Sequence, residues 1–224
     1  MDGLPVQMNA ESAKAHFMKR TCFIKPTCFV KRTWLKLVVL AILCSPVPSW
    51  AANPRNCTWC HGTGAQGYTV APRLAGQQAQ YIEAQLRGYA AHIRDNPLSK
   101  QYMWGAAANL RPDAVRELAD YFASLPARPA HDGSRALAEK GQAIYLQGIP
   151  EANIVACLAC HGPGGQGVRD IPRLGGMSYF YLKRRLEEWG QGYHSAQGSP
   201  MPMVASTLGP NEVEALASYL SFVK

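Results

Sequence analysis

Two copies of one cysteine–histidine motif are the residues of this chain with the clearest chemistry. They are CTWCH at residues 57–61 and CLACH at residues 157–161. Two thiols separated by two residues can bond as thioethers to the two vinyl-derived carbons on one edge of a porphyrin, and the histidine that follows can bind the iron. The sequence therefore predicts two covalently bound haems, attached through Cys57, Cys60, Cys157 and Cys160, with His61 and His161 as axial iron ligands.

Zinc and disulfide chemistry are the two alternatives for these cysteines. A structural zinc site would need both pairs to converge on one metal at close spacing. Here they lie 100 residues apart, each within the same repeated context. A thioredoxin-like dithiol would be expected within a strand–helix pattern, which the surrounding sequence lacks. Haem attachment is the favoured interpretation.

The N-terminal residues have the pattern of a secretory leader. Residues 1–51 hold seven basic and two acidic residues, a net charge of +5 out of +8 for the chain. A basic stretch is followed by an apolar run from Leu37 to Cys44 and by a small-residue exit ending at Ala51. The apolar run has roughly ten residues against about 20 for a membrane span, so a retained anchor is less favoured than cleavage. We expect export to the periplasm and no nucleic-acid partner, because the basic excess belongs to the leader.

The two halves of the remaining chain repeat each other with a constant offset of 100 residues after the motifs. In each half, a PRLxG segment (residues 72–76 and 172–176) precedes an aromatic-rich helical run, and a second amphipathic run closes the half. Pro112 and Pro210 mark where the closing helices begin. The sequence predicts an all-α fold of two small domains in tandem, each wrapped around a haem: a leader at 1–51, a first domain at 52–127, a linker at 128–134 and a second domain at 135–224.

The two domains differ at their starts. The second has a helical lead-in at residues 134–145, with Leu137, Gly141 and Ile144 on one face. The first has only residues 52–56 between the predicted cleavage site and Cys57. The N-terminal helix of the first domain is therefore expected to be missing, unless the leader is retained and supplies it.

Methionine is the expected second axial ligand, because its thioether raises the potential of an electron-transfer haem. Met103 is the only methionine after the motif in the first half. In the second half, Met177 lies too early in the repeat and is assigned to packing. Counting back from the closing helix selects Met201, whereas counting from the motif selects Met203. Met201 is preferred because the ligand loop must keep its register with the closing helix.

Four further residues are candidates for supporting roles around the haems. An iron-bound histidine usually donates its other ring N–H to a fixed acceptor. The carbonyls of Pro72 and Pro172, eleven residues after His61 and His161, suit that role. Arg73 and Arg173 follow directly, and the planar fork of arginine suits a haem propionate. Exposed, solvated arginines are the alternative.

Together these features resemble the class I cytochromes c, specifically the tandem dihaem family of the cytochrome c4 type. The shared features are CxxCHG, Pro-x-Leu-x-Gly before an aromatic-rich helix, a methionine seven residues before a leucine, and a closing Leu-Ala-x-Tyr at 118–121 and 216–219. They cover nearly all of residues 57–224. The resemblance implies two haem c groups with His/Met ligation and redox partner proteins such as a membrane respiratory complex, a dehydrogenase or a terminal oxidase. The missing first helix is a departure from the family.

An electron carrier without substrate chemistry of its own is the expected function. A dihaem oxidoreductase of the peroxidase or thiosulfate type is one alternative, and it would need an open iron or an unusual axial ligand. The spare histidines that could provide bis-histidine ligation are His92, His131 and His194, and solvent exposure is expected for the last two. A cytochrome subunit fixed in a larger dehydrogenase or oxidase, with possible membrane association, is the other alternative.

Overall fold

The structure is a computed structural model that describes residues 53–193 and 199–224. The predicted leader and His194 lie outside these residues. The described chain is helical: it contains no β-strand, and its extended pairing is limited to isolated bridges. The all-α prediction is confirmed. Within these same ranges, no helix is long and apolar enough to cross a membrane.

The described residues of the first half form four α-helices, and the haem motif lies in the first of them. They are α1 (Pro54–His61), α2 (Ala79–Ala90), α3 (Trp104–Ala107) and α4 (Pro112–Ser124). A 3-10 turn at Thr63–Ala65 follows α1, and a π-helical turn at Ser99–Met103 runs directly into α3.

The second half repeats this order behind an additional helix. Its helices are α5 (Arg135–Gln147), α6 (Leu158–His161), α7 (Tyr179–Gly190), α8 (Met201–Ser206) and α9 (Pro210–Phe222), with a 3-10 turn at Pro150–Ala152 after α5. The predicted linker has no helix. Helix α5 is the lead-in expected from the sequence.

The closing helices begin where the prolines predict. Pro112 and Pro210 occupy the first turn of α4 and α9, where a missing backbone N–H carries no penalty. Both helices bury one apolar side, which includes Val115 and Leu118 in α4 and Val213 and Leu216 in α9. The periodic sequence therefore sets both the position and the inward face of these helices.

The two halves have cores of different size. The buried cluster of the first half is Ala65, Ala75, Ile82, Leu118, Ala119 and Phe122, three of them alanines. The second cluster is Ile144, Tyr145, Ile154, Met177, Tyr181, Leu182, Ala215, Leu216, Ala217 and Leu220. The larger cluster exists because α5 packs across α9 and contributes Ile144 and Tyr145. Met177 belongs to this cluster, in agreement with its assignment to packing.

A glycine allows α5 and α9 to approach each other closely. A Cβ atom on Gly141 would overlap the backbone of Ala215 and the side chain of Tyr219. Aligning the closing helices on Leu118 and Leu216 places Glu117 of α4 where α9 has Ala215. Glu117 is exposed, and the described part of the first half has no helix crossing α4 in this way. The first half therefore carries a charge at the position where the second half has its tightest helix contact.

Substituting Gly141 by alanine tests this packing. The added methyl group meets backbone rather than a flexible side chain, so the two helices must separate. We expect the free energy of unfolding to fall by about 2 kcal/mol, as measured by guanidinium denaturation. Gln142→Ala, at the adjacent exposed position on the same helix, is the matched control and should stay within about 0.5 kcal/mol. Equal stability of the two variants would contradict the close crossing.

Candidate haem sites

The two motif histidines are held in the same way in both halves. His61 and His161 end α1 and α6, and both are buried. Nδ1 of His61 lies 2.7 Å from the carbonyl oxygen of Pro72, and Nδ1 of His161 lies 2.9 Å from that of Pro172. Because a carbonyl only accepts, Nδ1 must carry the proton and donate it. The Nε2 atom therefore keeps its lone pair for a metal.

Burial also keeps these imidazoles neutral. It is the main cause that lowers the pKa of both histidines below the ordinary value, and the proline carbonyls partly oppose it. The positive charge of Arg94 lowers the pKa of His61 further. A neutral imidazole with a fixed tautomer is the form that binds iron.

The four motif cysteines have free thiols, and none of them forms a disulfide in the structure. Cys57 and Cys157 are half-buried, whereas Cys60 and Cys160 are exposed. Burial raises the pKa of Cys57, and it raises the pKa of Cys157 to about 11. A thiol that stays protonated at neutral pH is a poor redox nucleophile, so the arrangement does not favour a thioredoxin-like dithiol.

The donor set of each half fits a covalent haem. Two thiols and a histidine with a free Nε2 lie within five consecutive residues of one helical segment. No group of three or more metal-binding side chains occurs among the described residues, so the two cysteine pairs do not converge on a zinc site there. Cys57 and Cys60 would hold one haem c, and Cys157 and Cys160 would hold the other.

Met103 and Met201 occupy matching positions in their halves. Met103 ends the π-helical turn before α3, and Met201 is the first residue of α8. Four residues after each, Ala107 and Ala205 are buried. The two methionines therefore match when the halves are aligned on their closing helices, which is the count that selected Met201. Met201 is half-buried, whereas the side chain of Met203 is 71% exposed.

Arg73 lies between the two halves, which differs from both sequence-based alternatives. Its side chain is buried, and Nη1 donates to the carbonyl oxygens of Arg128 at 2.8 Å and Gly176 at 2.6 Å. Nη2 donates to the carbonyl oxygen of Gly175 at 2.7 Å. The fork expected to bind a propionate is engaged by backbone carbonyls of the linker and the second half. Arg173 is half-buried, and its Nε donates to Gly175 O at 3.2 Å.

The glutamine after the first PRLxG segment adds a second polar contact between the halves. The side-chain amide of Gln77 donates to the backbone carbonyl of Arg173 at 3.0 Å and accepts from its N–H at 2.7 Å. Arg184 also crosses the boundary and donates to the carbonyl of Val70 at 2.8 Å. Together with Arg73, these bonds fix the two repeats against each other.

Replacing Arg73 by glutamine should therefore destabilise the protein. Loss of the guanidinium removes three hydrogen bonds to backbone carbonyls, two of them buried, although Gly175 O keeps its bond from Arg173 and Gly176 O keeps its bond from the Ala130 N–H. We expect the free energy of unfolding to fall by about 3 kcal/mol, as measured by guanidinium denaturation. Arg87→Gln removes only a surface ion pair with Glu83 and should cost about 0.5 kcal/mol or less. A similar loss in both variants would contradict a structural role for Arg73.

A buried polar cluster beside the first site was missed at the sequence level. Arg94 is only 4% exposed and donates through Nη1 to Gln85 at 2.7 Å and through Nη2 to the Tyr181 hydroxyl at 3.3 Å. Burial raises the pKa of the nearby Tyr81 to about 12, so its phenol stays protonated. Neither the CxxCH motif nor the repeat pattern marks Arg94, because the residue 100 positions later is a histidine.

Two of the spare histidines lie in the described residues, and neither belongs to a haem motif. The ring of His92 stacks on the indole of Trp104 with ring centroids 4.0 Å apart, and His92 is exposed. His131 lies in the linker, also exposed, near Phe222. His194 lies outside the described residues.

Comparison with known proteins agrees with this description. The family model described as cytochrome c matches residues 51–126 and 138–224. The cytochrome c-552 of Acidithiobacillus ferridurans is 37% identical over 169 residues, which are 74% of this chain and 73% of the relative. A thiosulfate dehydrogenase electron acceptor of Thiomonas intermedia is 36% identical over 184 residues, 77% of this chain and 82% of the relative.

A solved structure shares the fold. The structure of cytochrome c4 from Acidithiobacillus ferrooxidans superposes with a TM-score of 0.71 at 35% identity, and the match covers 75% of this chain and 99% of that one. Two matches to the family model, one in each half, agree with the repeated motif and the repeated helix order. The chain belongs to the cytochrome c family, as a tandem dihaem member of the cytochrome c4 type.

Proposed function

We propose that this dihaem electron-transfer cytochrome is a periplasmic carrier between a respiratory donor and a terminal acceptor, with both irons held by histidine and methionine. One observation carries the proposal: each half presents a histidine with a fixed tautomer together with a methionine at the same distance from the closing helix. Such a pair leaves neither axial position for a substrate. That arrangement suits a carrier better than an enzyme.

The proposed residue roles are the same in both halves. His61 and His161 would each hold an iron through Nε2, with their rings oriented by the Pro72 and Pro172 carbonyls. Met103 and Met201 would hold the irons through their thioethers, which would raise the reduction potential. The haem, when bound, supplies one-electron chemistry at its iron. The described chain binds it, excludes water from it and keeps the two repeats in fixed register.

The half-buried position of Met201 supports it over Met203. A ligand must point into the protein, and the side chain of Met203 is 71% exposed. Ala107 and Ala205 are both buried, each four residues after its methionine. Met201 therefore has the same position relative to α9 as Met103 has relative to α4. Met203 remains the alternative that mutagenesis must exclude.

A dehydrogenase of a reduced sulfur compound is the proposed class of donor. The support is a relative from Thiomonas intermedia named as a thiosulfate dehydrogenase electron acceptor, 36% identical over 77% of this chain. Mixing the oxidised holoprotein with thiosulfate alone should leave it oxidised. Adding a thiosulfate dehydrogenase should reduce both haems. Reduction by thiosulfate alone would instead indicate an enzyme.

Carbon monoxide binding tests whether the irons are closed. We expect the reduced holoprotein to show no change in its Soret spectrum under carbon monoxide, because both axial positions are filled. Met103→Ala is the positive control, since it should open one iron and produce a carbonyl spectrum. Rapid carbon monoxide binding by the unmodified protein would contradict the carrier proposal and favour an oxidoreductase.

Copurification of a partner from native membranes would favour a fixed subunit of a larger complex.

A further inference from the structure

The outward side of helix α4 is a surface of the first half that the repeat leaves uncovered. We define this α4 face by Glu117, Asp120 and Tyr121, which lie within about one turn of each other. All three residues are exposed, and Tyr121 is 43% exposed. Among the described residues, no helix crosses α4 in the way that α5 crosses α9. The α4 face is therefore open to contact with another protein.

The second half shows what kind of element this face fits. With the closing helices aligned as above, its three positions correspond to Ala215, Ser218 and Tyr219 of α9. Ala215 and Ser218 are fully buried, and α5 crosses there with Gly141 against Ala215. The ring of Tyr219 lies 5.6 Å from the ring of Tyr145 in α5, between centroids. The equivalent face of the repeat therefore packs against a helix.

The α4 face differs from its counterpart in charge. Glu117 and Asp120 are carboxylates, and neither belongs to an ion pair within the described part of the chain. Arg116, the one basic residue of α4, lies about 100° around the helix from Glu117. An uncharged helix would bury both carboxylates without a counter-ion, which is costly. The covering element should therefore carry basic side chains, as α5 does with Lys140, which lies 3.1 Å from Glu212 of α9.

Self-association does not meet this requirement. Two copies packed with α4 against α4 would bring Glu117 and Asp120 of one chain against the same carboxylates of the other, and like charges repel. A basic partner would neutralise them. It would also cover the ring of Tyr121, and tyrosine is a residue type enriched among the strongest contacts of protein interfaces.

A partner on the α4 face would also come close to the first haem motif. In the second half, Tyr145 of α5 donates its hydroxyl hydrogen to the carbonyl of Gly162, which directly follows His161. The equivalent carbonyl of Gly62 accepts only from the backbone among the described residues. A helix placed on α4 as α5 is placed on α9 would therefore reach Gly62, next to His61.

We propose that the α4 face is the docking surface for the protein that gives electrons to this cytochrome, and that this donor covers it with a helix carrying lysine or arginine. The donor is then seated beside the haem attached at Cys57 and Cys60, so electrons enter the protein at that haem. The inference rests on the proposed function, in which a dehydrogenase is the donor.

Reversing the charges of the α4 face tests this docking. Reduction of the holoprotein by a thiosulfate dehydrogenase with thiosulfate is followed by stopped-flow absorbance at low salt. We expect Glu117→Lys/Asp120→Lys to lower the second-order rate constant about tenfold, because two basic surfaces then face each other. The difference should shrink at high salt, where surface charges are screened. Both replaced residues are exposed, so the variant should fold normally.

Glu139→Lys/Glu151→Lys is the matched control, because it changes the net charge by the same amount on the second half. Both residues are exposed, and neither belongs to an ion pair of the described residues. The control should stay within about twofold of the wild-type rate constant. Equal slowing in the two double variants, or no slowing in Glu117→Lys/Asp120→Lys, would overturn the proposal.

Photo-cross-linking tests the surface without assuming which dehydrogenase is the donor. The full holoprotein with Tyr121→p-benzoylphenylalanine is irradiated in its native cells. We expect an adduct that joins position 121 to a segment of a redox protein containing lysine or arginine. Phe180→p-benzoylphenylalanine is the matched control, at an aromatic residue of the second half that is 48% exposed, and it should not give this adduct.

The cross-linking result separates the docking surface from the class of donor. Adducts only with a second copy of this chain or with its own residues 1–51, the same adduct from Phe180, or no adduct would overturn the proposal. The expected adduct with another redox protein, together with no reduction by thiosulfate dehydrogenase, would support the docking surface and contradict the proposed class of donor.

Discussion

Met201→Ala is expected to lower the reduction potential of the second haem by on the order of 0.2 V, within the roughly 0.8 V range that axial ligands span. Loss of the thioether leaves water or a stray side chain at the iron, and either one favours the oxidised state more than methionine does. The covalent attachment through Cys157 and Cys160 should remain, so the haem content should not change. Potentiometric titration followed in the visible spectrum gives both values in one experiment.

Met203→Ala is the matched control for this prediction. Met203 lies two residues further on in the same helix α8, with its side chain 71% exposed. Its replacement should leave both potentials within a few tens of millivolts of the wild-type values, well inside the ~0.8 V axial-ligand range. A large shift of the potential in Met203→Ala and none in Met201→Ala would identify Met203 as the ligand. It would also show that counting back from the closing helix selects the wrong methionine.

Removing one haem is expected to affect the two halves unequally. The double variant Cys57→Ala/Cys60→Ala should carry one covalent haem, and its first half should lose most of its protection against hydrogen exchange. The reason is the small buried cluster of that half, which has six residues, three of them alanines. A domain with so little apolar surface of its own depends on the buried porphyrin.

Cys157→Ala/Cys160→Ala is the counterpart on the other side. It should also carry one haem, but the amides of α5 and α9 should remain partly protected, because Ile144, Tyr145 and Leu216 pack together without the cofactor. Intact-mass measurement counts the haems, and exchange measured by mass spectrometry locates the loss. Two haems retained by either variant, or equal loss of protection in the two, would contradict this account.

The sequence was sufficient for the features that follow from local spacing. The CxxCH motifs, the prolines at the start of α4 and α9 and the apolar periodicity of the helices each depend on a few consecutive residues. The contacts of His61 with Pro72 and of His161 with Pro172 were also expected, since a loop of eleven residues returns to the same histidine in each repeat.

Contacts between the repeats could not be predicted from the sequence. Arg73 and Arg173 occupy equivalent repeat positions, yet Arg73 is buried against Gly175 and Gly176, whereas Arg173 is only half-buried. The position of each arginine depends on the surface opposite, which no periodic pattern encodes. Arg94 was missed for the same reason, because its partner Tyr181 lies 87 residues away in the other half.

Low-temperature electron paramagnetic resonance of the oxidised, haem-loaded protein tests the central claim most directly. Two irons, each closed by histidine and methionine, should give two low-spin signals with the g-values of His/Met ligation and no high-spin component. A high-spin signal from either haem would show an open iron. A bis-histidine signal would show that a residue other than Met103 or Met201 is the ligand, and either result would contradict the carrier with two closed irons.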